Sequence, residues 1–326
     1  MSNEKYFITN RHCGLGDALC NVYGAYSFAK KYGGSVVIDW RWLTYNNLEK
    51  QRINLFHSIF KIPNEIDGVK FYTFEEVPEL HDFDNVHNNY HWIHRDSPER
   101  KVSLDEVDKM IYSNKYINVY FINMSCKLGE SSPNWISHNY QELANIEGVE
   151  CFVENYLSFW NNFEVHNNIK RKLDYYRQKY FSSGNVIGVH IRHGNGQIRA
   201  MYDFHWYFYD GVKQKIDEIL KTEYPAGIDN KKFFICADNK KCTDDFLKLY
   251  PNSFSAEKIY LEEGIGPQHE LCNNSIMSIQ DAFIDMELLS SCELGILTSR
   301  SVFNLSPSLK LNRLYFYDRD RYFKAK

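Results

Sequence analysis

The chain has 326 residues, 44% hydrophobic and 16% aromatic, with a mean hydropathy of −0.50. That length exceeds one ordinary core and suits two domains of about 150 residues each. The formal net charge of −4 argues against a nucleic-acid partner, which calls for a basic stripe, and no apolar run approaches the ~18 residues needed to cross a bilayer.

The opening MSNEKYFITN lacks the basic and apolar regions of a secretory leader. The eight cysteines, at 13, 20, 126, 151, 236, 242, 272 and 292, are scattered and form no C-x-x-C pair. Together these features predict reduced thiols in a cytoplasmic protein. KYFITN (5–10) reads as a first strand, CGLGDAL (13–19) as a glycine-rich turn, NVYGAYSFAKKYG (21–33) as a helix and SVVIDW (35–40) as a second strand. Strand, turn, helix and strand open a βαβ unit and argue for a parallel sheet. VKFYTF (69–74) and YINVYFIN (116–123) are further strands; residues 76–113 are polar, and within them HDFDNVHNNYHWIHRDSPER (81–100) reads as loop.

Apolar spacing predicts helices over 151–163 and 167–181, and SSGN (182–185) is a turn. The alternation then resumes. NVIGVHIR is a strand and 211–223 a helix; KKFFICADN (231–239) is a strand and 241–251 a helix. A helix over 277–292 precedes the strand ELGILTS (293–299). Two doubly wound halves are therefore expected, 1–183 and 184–326, facing a central cleft. In such sheets ligands bind outside the carboxyl ends of the strands. At one such end, Arg192 offers a planar, permanently charged fork suited to phosphate, and Gly194 and Gly196 let backbone approach a ligand. The plainer reading is a turn beside a solvated arginine.

Three stretches carry a family likeness: RHCGLGDALCNVYGAYSFAKKYGGSVVIDWR (11–41), IGVHIRHGNG (187–196), and FFICADN (233–239) through GPQHE (266–270) to DAFIDMELLSSCELGILTSRSVFN (281–304). In this order the sequence resembles the α-1,6-fucosyltransferases of the bacterial nodulation type, relatives of the animal core fucosyltransferase. Residues 42–184 match poorly. The resemblance implies an α/β fold of GT-B type, with two Rossmann-like domains, the first on the acceptor side and the second holding a GDP-sugar. It also implies inversion at the anomeric carbon, no metal and no other cofactor. The partners implied are GDP-fucose or a related GDP-sugar, and a carbohydrate acceptor such as a bacterial surface glycan or a lipid-linked oligosaccharide.

On this resemblance Arg192 holds the donor phosphate and stabilises the charge of departing GDP. His190 contacts the nucleotide; its other reading is a satisfied core histidine. His193, which donates to phosphate or else covers the cleft wall, is followed by Gly194, Asn195 and Gly196 of the donor loop. Asp238 is a candidate to read guanine, whose N1–H and N2–H a carboxylate can accept together; the alternative is a helix cap near Lys240. Asp285 occupies a position the family keeps acidic. Ser299, Arg300 and Ser301 open a short helix that can face phosphate, or Ser299 and Ser301 are plain caps. Gly14, Gly16 and Asp17 bring the first domain's turn to the donor, with Asp17 as a helix cap on the alternative view. Inverting transfer needs a base. The nodulation enzymes have an acidic pair after H-G-N-G, where this chain has Gln197 and Ile198, so Asp203 is the nearest candidate, with a solvated loop acid as its other reading.

Other signals carry less. His81, His87, His91 and His94 fall within fourteen residues, and His91 and His94 could share a helix face and bind Zn²⁺, but the spacing is irregular and no Cys joins them. Asp82-Phe-Asp84 imitates a D-x-D metal motif but lies in a polar loop. The basic, aromatic tail DRDRYFKAK (318–326) is a solvated end by default and a peripheral membrane foot on the other reading. The rival functions are an α-1,2-type fucosyltransferase and a catalytically inactive binding protein on the same scaffold.

Overall fold

The structure is a computed structural model, which describes residues 4–10, 13–43, 45, 53–80, 91–93, 109, 111–113, 115–119, 149–193, 207–260, 275–298 and 301–317. The chain divides into two compact units, Met1–His166 and Asn167–Lys326. The expected boundary at 183 followed the return of strand alternation. The helix Asn167–Tyr176 belongs to the second unit, where its Lys172 reaches Asp281 and its Tyr176 hydroxyl accepts the Glu257 amide.

In the first unit, β1 (Tyr6–Thr9) leads into α1 (Leu15–Tyr32), followed by β2 (Ser35–Ile38), β3 (Val69–Thr73), β4 (His91–Ile93), β5 (Tyr116–Val119) and α2 (Val149–Trp160). The sheet runs β3-β2-β1-β5-β4, all parallel, with the short strand Glu65–Ile66 antiparallel on the outer edge of β3. β2 is buried along its whole length, as a parallel strand covered on both faces must be. Its Val36, Val37 and Ile38 are inaccessible to solvent, like Phe7 and Ile8 of β1. Helices α1 and α2 meet through aromatic rings, Tyr26 stacking on Phe159 at 4.7 Å and Tyr23 meeting Phe159 edge-on at 5.4 Å.

Two local expectations change here. Helix α1 starts six residues earlier than its apolar spacing suggested, so Gly16 and Asp17 lie inside its first turn rather than in the preceding turn. The N-cap position is Gly14, and Asp17 favours the helix by facing the positive end of its dipole. Within the polar stretch read as loop, His91–Ile93 pairs as a strand with β5. Backbone hydrogen bonding to a neighbouring strand decides that segment, whatever the polarity of its side chains. His91 is thus on a strand rather than on a helix face. His81, His87, His94, Asp82 and Asp84 lie outside the described residues.

The second unit contains α3 (Asn167–Tyr176), β6 (Val186–Ile191), α4 (Tyr207–Glu223), β7 (Lys232–Ala237), α5 (Lys240–Leu249), β8 (Ser253–Phe254), α6 (Ser275–Leu289), β9 (Leu294–Thr298), α7 (Leu305–Lys310) and β10 (Leu314–Tyr317). The order β8-β7-β6-β9-β10 is parallel throughout. It reverses direction between β6 and β9, the Rossmann switch point. Strand β6 is buried at all six positions. Its Gly188 lets α6 approach, since a Cβ there would lie 2.7 Å from Leu289 Cδ1 and 2.8 Å from Cys292 Sγ. The apolar side chains of β6, β7, β9, α4 and α5 form one core, from Ile187, Val189 and Ile191 to Ile216, Phe233 and Phe246.

Candidate functional site at a strand switch point

Arg192 emerges where β6 stops being core. Its backbone N–H donates to Thr298 Oγ1 at 2.9 Å, across the crevice to β9. The Thr298 and Tyr317 hydroxyls lie 2.7 Å apart and stand 2.8 and 2.9 Å from the His190 carbonyl. The strands β6, β9 and β10 are thus tied together by side-chain hydroxyls at their carboxyl ends. Asn304, fully buried, donates from Nδ2 to the Thr298 carbonyl at 2.6 Å, and its N–H donates to the Ser301 carbonyl at 2.9 Å. These bonds tie Asn304 to both the end of β9 and Ser301.

The register of β6 and β7 sets Ala237 beside Ile191, so the next residue on each strand meets its neighbour. Arg192 Nη1 donates to Asp238 Oδ2 at 2.5 Å, with the two side chains 27% and 17% exposed. Asp238 Oδ1 accepts the His193 N–H at 2.7 Å. The helix-capping alternative for Asp238 falls to its neighbour: Asn239 Oδ1 accepts the Cys242 N–H at 2.8 Å and caps α5. His190 and His193 are both buried, and the His190 ring stacks on Phe303 with centroids 5.1 Å apart.

Behind this surface lies a residue that the sequence pattern does not mark. Lys258 Nζ donates to Asp285 Oδ2 at 2.5 Å and to the Ala237 carbonyl at 2.6 Å. Burial alone would pull the lysine down, but Asp285, then Cys236 and Tyr260, raises it above the ordinary lysine range. It stays charged. Burial raises the Asp285 carboxyl, with Lys258 opposing. Lys258 sits in the irregular stretch SAEKIY, which has no periodicity; only the partner on α6 shows its place.

In the first unit, Gly14 has φ −77° and ψ 171°, makes no side-chain cap, and a Cβ built there would meet nothing within 4 Å. The IDWR strand end is built as well. Asp39, almost wholly buried, accepts from Arg41 Nε at 2.8 Å and Nη2 at 2.9 Å, and the Arg41 guanidinium stacks on Phe74 at 3.4 Å. Asn54 clamps the same corner, accepting the Trp40 N–H and donating to the Ile38 carbonyl.

The second unit therefore brings together His190, Arg192, His193, Asp238, Ser301 and, one layer beneath, Asp285. Gly14, Gly16 and Asp17 belong to the first unit. Gly194, Asn195, Gly196, Asp203, Ser299 and Arg300 lie outside the described residues. Among the described residues no group of three His, Cys, Asp or Glu side chains could hold a metal, and no helix is long and apolar enough to cross a membrane.

Two Rossmann-like α/β units, each built on a sheet of mainly parallel strands, are the elements of a GT-B type transferase fold. The chain belongs to the Nodulation protein Z (NodZ) family, whose model matches residues 3–115 and 148–323. It is 25% identical over 324 residues to a Nodulation protein Z of Azorhizobium caulinodans, covering 96% of this chain and 92% of that protein. It is 22% identical over 326 residues to one of Sinorhizobium fredii, covering 97% and 94%. The fold matches the crystal structure of fucosyltransferase NodZ from Bradyrhizobium at a TM-score of 0.61 and 20% identity, over 99% of this chain and 98% of that one. It also matches NodZ α-1,6-fucosyltransferase soaked with GDP-fucose, at a TM-score of 0.61 and 20% identity, over 97% and 95%.

Proposed function

We propose that the protein is an inverting, metal-independent fucosyltransferase that moves L-fucose from GDP-fucose to a carbohydrate acceptor, with the donor on the second unit and the acceptor on the first. Family membership supports the class. The single observation that carries the site is the emergence of Arg192 at the carboxyl end of β6, at the switch point with β9.

In this reading an acceptor hydroxyl attacks the anomeric carbon opposite the leaving group, and the bond from that carbon to the diphosphate oxygen breaks. Negative charge then gathers on the β-phosphate. The Arg192 guanidinium presents its N–H donors in a fixed, permanently charged fork. Placed at the departing oxygens, it supplies the charge stabilisation that a divalent ion provides in other transferases. The histidines of the same strand end line the nucleotide. Asp203 takes the acceptor proton. Among the described residues, Cys236 and Cys292 are buried and form no disulfide, which supports a reducing, cytoplasmic site of action.

Transfer of fucose from GDP-fucose, followed with and without EDTA, tests the proposal. Loss of activity in EDTA, or full activity and full GDP affinity in Arg192→Ala, would refute it. A second reading rests on Gln197 and Ile198, which stand where the nodulation enzymes have acids: binding of GDP-fucose without turnover on any acceptor would favour an inactive scaffold.

A further inference from the structure

We propose that Asp238 is a positioning residue for Arg192, holding the guanidinium and the following amide in the geometry that meets the diphosphate. The inference rests on the reading of Arg192 as the phosphate ligand.

Both Asp238 oxygens are committed within the protein. Oδ2 takes Arg192 Nη1 and Oδ1 takes the His193 N–H. To accept the N1–H and N2–H edge of a guanine, the carboxylate would have to share or release both. The same two bonds do something specific for the strand end. An arginine side chain is long and has many rotamers; here its backbone N–H is fixed by Thr298 and one arm of its fork by Asp238. The amide after it is drawn toward β7 as well. Asp238 is itself held from behind, because Lys258 grips the carbonyl of Ala237 and is anchored on Asp285. A chain of contacts thus runs from α6 through Lys258 and the end of β7 to the Arg192 guanidinium. Preorganised charge of this kind needs no rearrangement when the diphosphate leaves, and displacement of about 1 Å in such a group can cost on the order of a hundredfold in rate.

A double-mutant cycle tests it. GDP and inosine diphosphate, which lacks the 2-amino group of guanine, are titrated calorimetrically into the wild type, Asp238→Ala, Arg192→Ala and the double variant. Asp238→Asn is run alongside, and thermal unfolding confirms that each variant is folded. Positioning predicts that Asp238→Ala weakens GDP and inosine diphosphate by the same factor, about tenfold or more, and costs nothing further once Arg192 is gone. Asp238→Asn, which keeps one oxygen but loses the ion pair, should fall between. If Asp238→Ala weakens GDP selectively, the residue reads the base and the proposal fails. Additive losses in the double variant also overturn it, while leaving Arg192 as the phosphate ligand. If Arg192→Ala alone loses no affinity, the reading of Arg192 falls and takes this one with it.

Discussion

Lys258 and Asp285 form an ion pair 2.5 Å long whose side chains are only 8% and 6% exposed. Removing one partner leaves an uncompensated buried charge, which typically costs about 3–5 kcal/mol, whereas replacing both with apolar groups of similar volume is often close to neutral. Lys258→Ala should therefore lower the urea unfolding free energy by several kcal/mol, and Lys258→Met with Asp285→Leu should lose much less. Equal losses in the two would mean that the pair is not coupled as the geometry states.

Arg192→Ala should reduce transfer by about two to three orders of magnitude, the cost of losing a principal charge stabiliser. Arg192→Lys should recover part of it, because a lysine supplies the charge without the fork. Steady-state rates with GDP-fucose check this, and equal activity in the alanine and lysine variants would show that the positive charge has no part in transfer.

Gly188→Ala forces a methyl group against Leu289 and Cys292. Overpacking of this sort costs about 1–3 kcal/mol. Because the contact lies in the middle of β6, remote from its carboxyl end, GDP affinity of the folded fraction should change little. A melting temperature equal to wild type would disprove the close approach of α6 to β6.

Cys236 and Cys292 are buried free thiols. Burial first, then the Asp285 carboxylate, pushes the Cys236 thiol well above its usual range, and burial alone pushes Cys292 up. In the unfolded chain both ionise near pH ~8.5. Above that pH the unfolded state has lost protons the folded state keeps, so these two groups make stability fall as pH rises. Neither thiol should be alkylated at about pH 8 unless denaturant is present, since the thiolate is the reactive form. Peptide mapping of the alkylated protein reads the outcome, and rapid labelling of Cys236 in the native state would contradict its burial.

Much of the frame is legible in the amino-acid sequence. The runs at 5–10, 69–74, 185–192 and 231–239 contain β1, β3, β6 and β7, and 151–163 contains most of α2, because side-chain periodicity is a local property imposed by burying one face or stripe. Arg192 is visible for a similar reason: a permanently charged side chain directly after a buried run marks the carboxyl end of that strand. The strand at His91 is hidden because its pairing with β5 leaves no apolar alternation. The start of α1 is hidden because glycines at 14 and 16 look like a turn until the helix is seen to close over them.

What tertiary structure alone decides is which charges meet. The sequence offers Asp238 a base to face or a helix to cap, and nothing in FFICADN distinguishes those roles from a third. The parallel register that sets Ala237 beside Ile191 brings the carboxylate to Arg192, and the neighbouring asparagine takes the cap. Lys258 finds Asp285 only because α6 crosses behind the end of β7. Local pattern determines elements, since it reflects neighbours a few residues apart; the pairing of charges across a sheet depends on strand order and register, which are set by the packing of the whole core.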